Sequence, residues 1–225
     1  NKVISFPQST AFNRHRTTNF YDTKTAIDSA NITLIGRDRS SSQFMKENFD
    51  AEVLLVPDIV LSLSRQFNKK RNGIITMLRE DHEKIDNNSI DLLVSQLSGK
   101  YNLKKSDTVI NQQERINDSN RHRLLTEKLL EFSSSELVIT DRLHGMIFAH
   151  ITGTPAIVFD NNNHKVYNTY KDWLSDEEFI FFAQDKSNEQ ILHIAKKMIE
   201  NTPNNDKINF DYSALKQAVL QSVDQ

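Results

Sequence analysis

A short polar cluster near the middle of the chain combines a guanidinium and an imidazole two residues apart. The segment is Thr140-Asp-Arg-Leu-His-Gly145, between a predicted strand and a predicted helix. Arg142 can hold a carboxylate or phosphate with two hydrogen bonds, and His144 can transfer protons near neutral pH. In an extended turn, side chains two residues apart point to the same side. Gly145 lacks a Cβ atom and would let a ligand approach the backbone.

The same residue types also fit a purely structural interpretation. Arg142 could pair with Asp141 or with the carboxyl end of a helix, and His144 could cap the helix. We interpret His150, six residues after His144, as a packed or surface histidine. Residue types alone leave the chemical and the structural interpretation equally open.

Arg37 and Ser9 lie at the ends of two predicted strands near the N-terminus. Arg37 follows the predicted strand 32–36 and precedes a helix for which Ser40 is the expected N-cap. Ser9 lies in the polar segment that follows the first predicted strand. In open α/β sheets, ligands bind at the carboxyl ends of the strands, so we expect both side chains at that edge.

His164 and Lys165 lie in a polar loop that follows the predicted strand 156–159. A single loop of this kind is more often a solvated surface. Taken together, Arg37, Arg142 and Lys165 place cations at successive strand ends beside one or two imidazoles. We therefore predict that Arg37, Arg142, His144 and Lys165 converge on one cleft between two lobes of the protein, which would bind a substrate with two anionic groups.

Strands and helices must alternate to position these residues, which indicates an α/β protein with parallel sheets. Predicted strands cover residues 2–6, 32–36, 53–56, 73–78, 108–111, 137–140, 156–159 and 179–182. Predicted helices cover residues 22–30, 41–48, 89–99, 121–133, 143–152, 166–174, 189–201 and 213–223. The strands are short, nearly continuous apolar runs, as expected where both faces of a sheet are covered.

A chain of 225 residues is long enough for one large domain or two small ones. The basic segment 64–72 separates three predicted strands from five, and we interpret it as a linker; a basic loop within one sheet is the alternative. The predicted organisation is a partial N-terminal α/β lobe (1–64), a linker (65–72), a larger C-terminal α/β lobe (73–205) and a final helical segment (206–225) that would pack back on the first lobe.

Composition and missing motifs exclude several classes of protein. The formal net charge is −2, which argues against a nucleic-acid binder. The chain contains no cysteine, so disulfides and thiolate metal sites are excluded. It has no run of about 18 apolar residues and no signal peptide, so we expect a cytoplasmic protein without a transmembrane segment. Phosphate-loop, dinucleotide-loop, nucleophile-elbow and zinc-helix motifs are missing, and we predict neither a cofactor nor a metal.

The sequence resembles the polysaccharide pyruvyl transferases. The resemblance runs from about residue 3 to 170 and is carried by Gln8-Ser9, Gly36-Arg-Asp-Arg-Ser40, Val56-Pro-Asp58, the segment 140–145, Gly153-Thr-Pro155 and Asn163-His-Lys165. It implies two Rossmann-like lobes like those of a GT-B glycosyltransferase. The N-terminal lobe is expected to be incomplete, since the strands that precede the Gln-Ser strand in the family are missing here.

The resemblance also implies an activity and a set of partners. The family moves pyruvate from phosphoenolpyruvate to two hydroxyls of a sugar, which forms a cyclic ketal in a surface polysaccharide or exopolysaccharide precursor. Phosphoenolpyruvate would be a donor substrate bound by the C-terminal lobe, and a sugar or lipid-linked oligosaccharide the acceptor. The enzyme would work in the cytoplasm or at the inner membrane face, and a second copy of the chain is a further expected partner.

The implied roles fall on residues already found from their types and positions. The resemblance implies that His144 and Arg142 are catalytic. It implies substrate binding for Arg37, Lys165, Gly145, Ser9 and His164. Two other functions stay open. A nucleotide-sugar glycosyltransferase could bind a diphosphate at the same strand ends, and a non-catalytic carbohydrate-binding subunit would fit an incomplete first lobe.

Overall fold

The structure is a computed structural model that describes residues 2–10, 17–65, 67, 69–81, 85, 87–108, 115–201 and 208–223. The strands are β1 (Val3–Ile4), β2 (Ile32–Gly36), β3 (Glu52–Leu55), β4 (Ile74–Met77), β5 (Leu103–Lys105), β6 (Leu137–Thr140), β7 (Ala156–Val158) and β8 (Ile180–Phe182). The helices are α1 (Thr17–Asp28), α2 (Arg39–Asn48), α3 (Asn88–Ser98), α4 (Arg121–Ser133), α5 (Leu143–Thr152), α6 (Lys165–Thr169), α7 (Asn188–Glu200) and α8 (Ser213–Val223). Within these ranges, no helix has the length and apolar character that crossing a membrane requires.

The chain forms two compact units, each with its own parallel sheet. Unit 1 consists of Asn1–Ser62, Lys171–Trp173 and Asn209–Gln225, and unit 2 of Leu63–Tyr170 and Leu174–Ile208. The domain boundaries predicted from the sequence stay predictions. The predicted class, α/β with parallel sheets, is confirmed, because every strand pair described is parallel.

Unit 1 is built on the sheet β1-β2-β3, and its central strand β2 is covered on both faces. Successive side chains of a strand point to opposite faces. Leu34 accordingly packs in one buried cluster with Met45 of α2. Ile35 packs in another with Val56 and Leu215 of α8. The carboxyl end of β2, where Arg37 follows, is therefore held by helices on both sides.

Unit 2 is built on the sheet β5-β4-β6-β7-β8, in which β6 is the central strand. All four residues of β6 are buried, and Ile139 packs in one core cluster with Leu97 of α3 and Ile191 of α7. Strands β6 and β7 are neighbours, and their register pairs Thr140 with Val158. The loops that follow these two strands therefore begin side by side at one edge of the sheet.

Two local predictions are wrong, and a third falls mostly outside the described ranges. The third is the strand expected at 108–111: Thr108 is not in a strand, and residues 109–111 lie outside the described ranges. The edge strand next to β4 is β5, which was not predicted. The N-cap of α2 is Asp38 rather than Ser40. The helix expected over 166–174 is the short α6, which continues as a π-helical turn over Tyr170–Leu174.

Candidate functional site

The turn between β6 and α5 is fixed by the side chain of Thr140. Its Oγ1 donates to the carbonyl of Met77 (2.8 Å) and accepts from the backbone N–H of Arg142 (3.0 Å). Asp141 is buried, and its Oδ1 accepts from the backbone N–H of Arg79 (2.9 Å). Burial raises the pKa of Asp141, and the surrounding N–H groups and the charges of Arg142 and Arg79 offset part of that rise. The turn therefore presents Arg142 at the N-cap of α5 in an extended conformation.

The guanidinium of Arg142 pairs with Asp107 and not with Asp141. Its Nη2 lies 2.9 Å from Oδ2 of Asp107, and the arginine side chain is only 12% exposed. Its Nε is buried and has no hydrogen-bond partner among the residues that the structure describes. A buried donor without a partner is costly, and it is rare in folded proteins. An anionic ligand that accepted from Nε would remove that cost.

His144 lies in the first turn of α5, where its side chain is exposed. Its ring centroid lies 6.2 Å from that of Phe148, one turn further along the same helix. Gly145 is buried, and a Cβ atom there would meet Oγ1 of Thr140 and lie 3.1 Å from its Cβ. The glycine is therefore required for α5 to approach the end of β6. Approach of a ligand to its backbone stays a prediction.

Replacement of Gly145 by alanine is expected to lower the free energy of unfolding by about 1–3 kcal/mol, because the new methyl group would have to displace Thr140. Gly99, which follows α3 in the same unit, is the matched control, since an added Cβ atom would meet nothing within 4 Å. Gly99→Ala should leave stability unchanged or raise it by less than about 1 kcal/mol. Urea unfolding of both variants, followed by circular dichroism, measures the difference. Equal stability of the two variants would contradict the close packing of Gly145 on Thr140.

The Gly-Thr-Pro segment ends α5 and returns the chain to β7. Gly153 has φ 64° and ψ 31°, the left-handed conformation that glycine adopts without strain. The backbone N–H of Thr154 donates to the carbonyl of Ala149 (2.8 Å). Within α5, His150 is buried, and its Nδ1 lies 3.3 Å from Oε1 of Glu177. His150 is therefore a packed histidine, unlike His144, which is exposed.

The loop between β7 and α6 contains a second histidine with a carboxylate partner. His164 Nδ1 lies 2.5 Å from Oδ2 of Asp160. The Asp160 side chain is buried, and its Oδ1 accepts from the backbone N–H of Tyr167 (3.1 Å). Lys165, the first residue of α6, is half-buried, and its backbone N–H donates to Oδ1 of Asn163 (3.3 Å). The carboxylate thus orients the imidazole at the strand end next to β6.

In unit 1, Arg37 and Ser9 are in direct contact. Arg37 Nε donates to Oγ of Ser9 (2.7 Å), and its Nη1 pairs with Oδ2 of Asp58 (2.9 Å). Ser9 Oγ donates in turn to Oδ2 of Asp38 (2.8 Å). The other oxygen of Asp38 accepts from the backbone N–H of Ser41 (2.7 Å), which makes Asp38 the cap of α2. The network holds the guanidinium at the carboxyl end of β2.

The structure groups the predicted site residues by unit. In unit 2, one turn carries Arg142, His144 and Gly145, and the loop after the neighbouring strand carries His164 and Lys165. In unit 1, Arg37 and Ser9 lie together. Their convergence on one cleft stays a prediction. Within the described ranges, no group of three or more histidine, aspartate or glutamate side chains is placed to hold a metal ion.

The sequence analysis did not find the carboxylates that hold these side chains. They are Asp58, Asp107 and Asp160. Asp160 is four residues before His164, and that spacing was a usable signal for a local pair. Asp107 is 35 residues before Arg142, and no feature of the sequence indicates their contact.

Comparison with known proteins points to one family. The family model described as polysaccharide pyruvyl transferase matches residues 1–163. The chain is 32% identical over 226 residues to General stress protein 30 of Bacillus subtilis strain 168, which covers 95% of the chain and 64% of that protein. It is 31% identical over 188 residues to Pyruvyl transferase 1 of Schizosaccharomyces pombe, which covers 76% of the chain and 47% of that protein. The chain therefore spans less than two thirds of the length of either relative.

Among solved structures, the chain is similar to TarM, with a TM-score of 0.55 and 12% sequence identity. The match covers 98% of this chain and 49% of the TarM chain. At this identity the likeness concerns the fold alone. It confirms the predicted fold class, with α/β units like those of GT-B glycosyltransferases.

Proposed function

Since this chain belongs to the polysaccharide pyruvyl transferase family, we propose that it transfers pyruvate from phosphoenolpyruvate to two hydroxyls of one sugar. The products are a cyclic ketal of pyruvate on the sugar and inorganic phosphate. The observation that carries the proposal is the turn after β6: Arg142, whose Nε has no partner among the described residues, lies two residues before His144 with its exposed imidazole. A cation and a proton-transfer group are the two components that this reaction needs.

Phosphoenolpyruvate carries a carboxylate and a phosphate, and each needs a cationic partner. Asp107 holds the Nη2 end of Arg142, so the guanidinium is fixed in place, while no residue in the described part of the chain accepts from its Nε. An anion bound there would receive a charge-assisted hydrogen bond. Lys165 begins α6 beyond the neighbouring strand and supplies a second positive charge at the same sheet edge. Arg37 forms a separate anion-binding point in unit 1.

The reaction places two demands on proton transfer. The first hydroxyl attacks C2 of phosphoenolpyruvate, the electron pair of the C2–C3 double bond takes a proton at C3, and a methyl group forms. The second hydroxyl then attacks C2 while the C–O bond to phosphate breaks and its electron pair leaves with phosphate. One of the two hydroxyl protons ends on C3, and the other ends on phosphate. We assign the first transfer to His144, a role that contributes about 10²–10⁴-fold in rate.

The acceptor we propose is a sugar of a polysaccharide precursor, either free or linked to a lipid carrier. Both forms present the same pair of hydroxyls to the enzyme. A lipid-linked acceptor would bring the protein to the cytoplasmic face of the membrane as a peripheral protein. The family name supports the polysaccharide class.

The test is incubation of the full-length protein with phosphoenolpyruvate and a panel of methyl hexopyranosides that carry free 4- and 6-hydroxyls. We expect phosphate release that depends on one of the sugars, and a product whose mass has increased by one ketal-linked pyruvate. A reaction without sugar measures background hydrolysis. Phosphate release with none of the sugars, together with turnover of a UDP- or GDP-sugar on the same panel, would favour the glycosyltransferase instead.

A further inference from the structure

The loop between β7 and α6 holds an imidazole in the arrangement of a general base and its orienting acid. Nδ1 of His164 lies 2.5 Å from Oδ2 of Asp160. The Asp160 side chain is 6% exposed, whereas the His164 side chain is 67% exposed. A buried carboxylate that accepts from Nδ1–H fixes the tautomer and leaves Nε2 directed away as the reactive nitrogen. A surface histidine that served only solubility would have no need of such a partner.

The backbone of the same loop is held in an unusual conformation. His164 has φ 55° and ψ 18°, a left-handed conformation that costs a residue with a Cβ atom about 1 kcal/mol or more. The conformation is maintained by hydrogen bonds on both sides, since the N–H of His164 donates to the carbonyl of Asn161 (3.0 Å) and its carbonyl accepts from Asn168 (2.9 Å). Strain of this kind concentrates at functional sites. Here the residue in the left-handed conformation is the one whose imidazole contacts Asp160.

We propose that His164 is a second proton-transfer residue of the pyruvyl transfer and that Asp160 is its positioning residue. The proposal rests on the proposed function. It adds to that function a division of the proton transfers between two imidazoles. The reason for the division is that the two acceptor hydroxyls occupy different positions on the sugar and react one after the other.

The location of His164 in unit 2 fits this division. Strands β6 and β7 are paired in parallel, with Thr140 opposite Val158, so their following loops leave the same sheet edge. Adjacent strands are about 5 Å apart. The helices that begin in these loops, α5 with His144 and α6 after His164, contact each other. Both imidazoles are exposed at that edge.

The two steps balance with one imidazole for each hydroxyl. His144 takes the proton of the first hydroxyl as its oxygen bonds to C2 and gives that proton to C3, which makes the methyl group. His164 takes the proton of the second hydroxyl as its oxygen bonds to C2 and phosphate leaves with the electron pair of the broken C–O bond. That proton then passes to phosphate, which departs as hydrogen phosphate. Both imidazoles return to the neutral form, and no oxidant or other reactant is consumed.

The test variant is His164→Asn, in full-length protein with phosphoenolpyruvate and the methyl hexopyranoside that supports turnover. Asparagine tolerates the left-handed conformation and can keep a hydrogen bond to Asp160, but it cannot transfer a proton. We expect kcat to fall by about 10²-fold or more while the KM for phosphoenolpyruvate changes by less than about threefold. Asp160→Asn should lower kcat with the same unchanged KM, because asparagine favours the wrong tautomer of the imidazole.

His193→Ala is the matched control, since it removes an exposed histidine from α7 in the same unit and should leave both constants unchanged. Wild-type kcat in His164→Asn, or a loss confined to the KM for phosphoenolpyruvate, would overturn the inference and leave the proposed function intact. A fall in kcat for His193→Ala equal to that for His164→Asn would also overturn it. A wild-type protein that releases no phosphate with any sugar would instead overturn the proposed function, and this inference with it.

Discussion

His144→Ala is expected to lower kcat by about 10²-fold or more while the KM for phosphoenolpyruvate stays within about threefold of the wild-type value. The imidazole is exposed in the first turn of α5 and lies against Phe148, so its removal leaves no buried cavity. The guanidinium of Arg142, the proposed anion-binding group, is held by Asp107, and the backbone N–H of Arg142 donates to Oγ1 of Thr140. Loss of rate without loss of donor binding is therefore the signature of a proton-transfer role.

Steady-state phosphate release at varied phosphoenolpyruvate measures both constants for the His144 variant. His193→Ala serves again as the control, because it removes another exposed imidazole, one that is far from the turn in sequence. Urea unfolding of both variants checks that stability is unchanged. Wild-type turnover in His144→Ala would remove the catalytic assignment and favour the capping role that the residue types alone allowed.

The parts of the fold that follow from local patterns were predictable from the sequence. The limits of β2, β6, α4, α5 and α8 agree with the prediction at both ends. Their apolar runs or helical periods are long and bounded by polar residues, so pattern and position coincide. β5 was missed because it is an edge strand of the sequence Leu-Lys-Lys, with both lysines exposed. An edge strand needs few apolar residues, and lysines there oppose pairing with other chains.

Contacts between residues far apart in the sequence could not be predicted from local patterns. Asp38 and Ser40 are both good N-cap residues, and the sequence offered no reason to prefer Asp38. The choice depends on Ser9, 29 residues earlier, which donates to the same carboxylate. The pairing of Arg142 with Asp107 is of the same kind, since it depends on how the segment after β5 returns to the sheet edge.

The candidate site shows the same division between local and distant information. Placing Arg142, His144, His164 and Lys165 at strand ends required only the alternation of strands and helices, and the structure puts each of them there. Identifying which of these side chains are oriented by carboxylates required the structure of the folded chain. The sequence therefore locates the residues that could do chemistry. The tertiary contacts show that the guanidinium of Arg142 and the imidazole of His164 are each held by a carboxylate.

Arg142→Lys is expected to raise the KM for phosphoenolpyruvate by about tenfold or more, with a much smaller effect on kcat. The arginine uses Nη2 for Asp107 while its buried Nε has no partner among the described residues, so one side chain can bind the carboxylate and the donor together. Lysine keeps the charge but has a single nitrogen at its tip. It can satisfy Asp107 or the donor, but it cannot reproduce both hydrogen bonds in the same plane.

The matched control for Arg142→Lys is Arg123→Lys on α4, an exposed arginine that pairs with Glu127 and should leave both kinetic constants unchanged. The expected shift in donor KM, set beside the expected fall in kcat for His144→Ala, would separate two residues of the same turn by role. Anion binding would be the role of Arg142, whose guanidinium pairs with Asp107, and proton transfer would be the role of His144. An unchanged donor KM in Arg142→Lys would instead assign the anion clamp to Lys165 or Arg37, the other two cations predicted for the site.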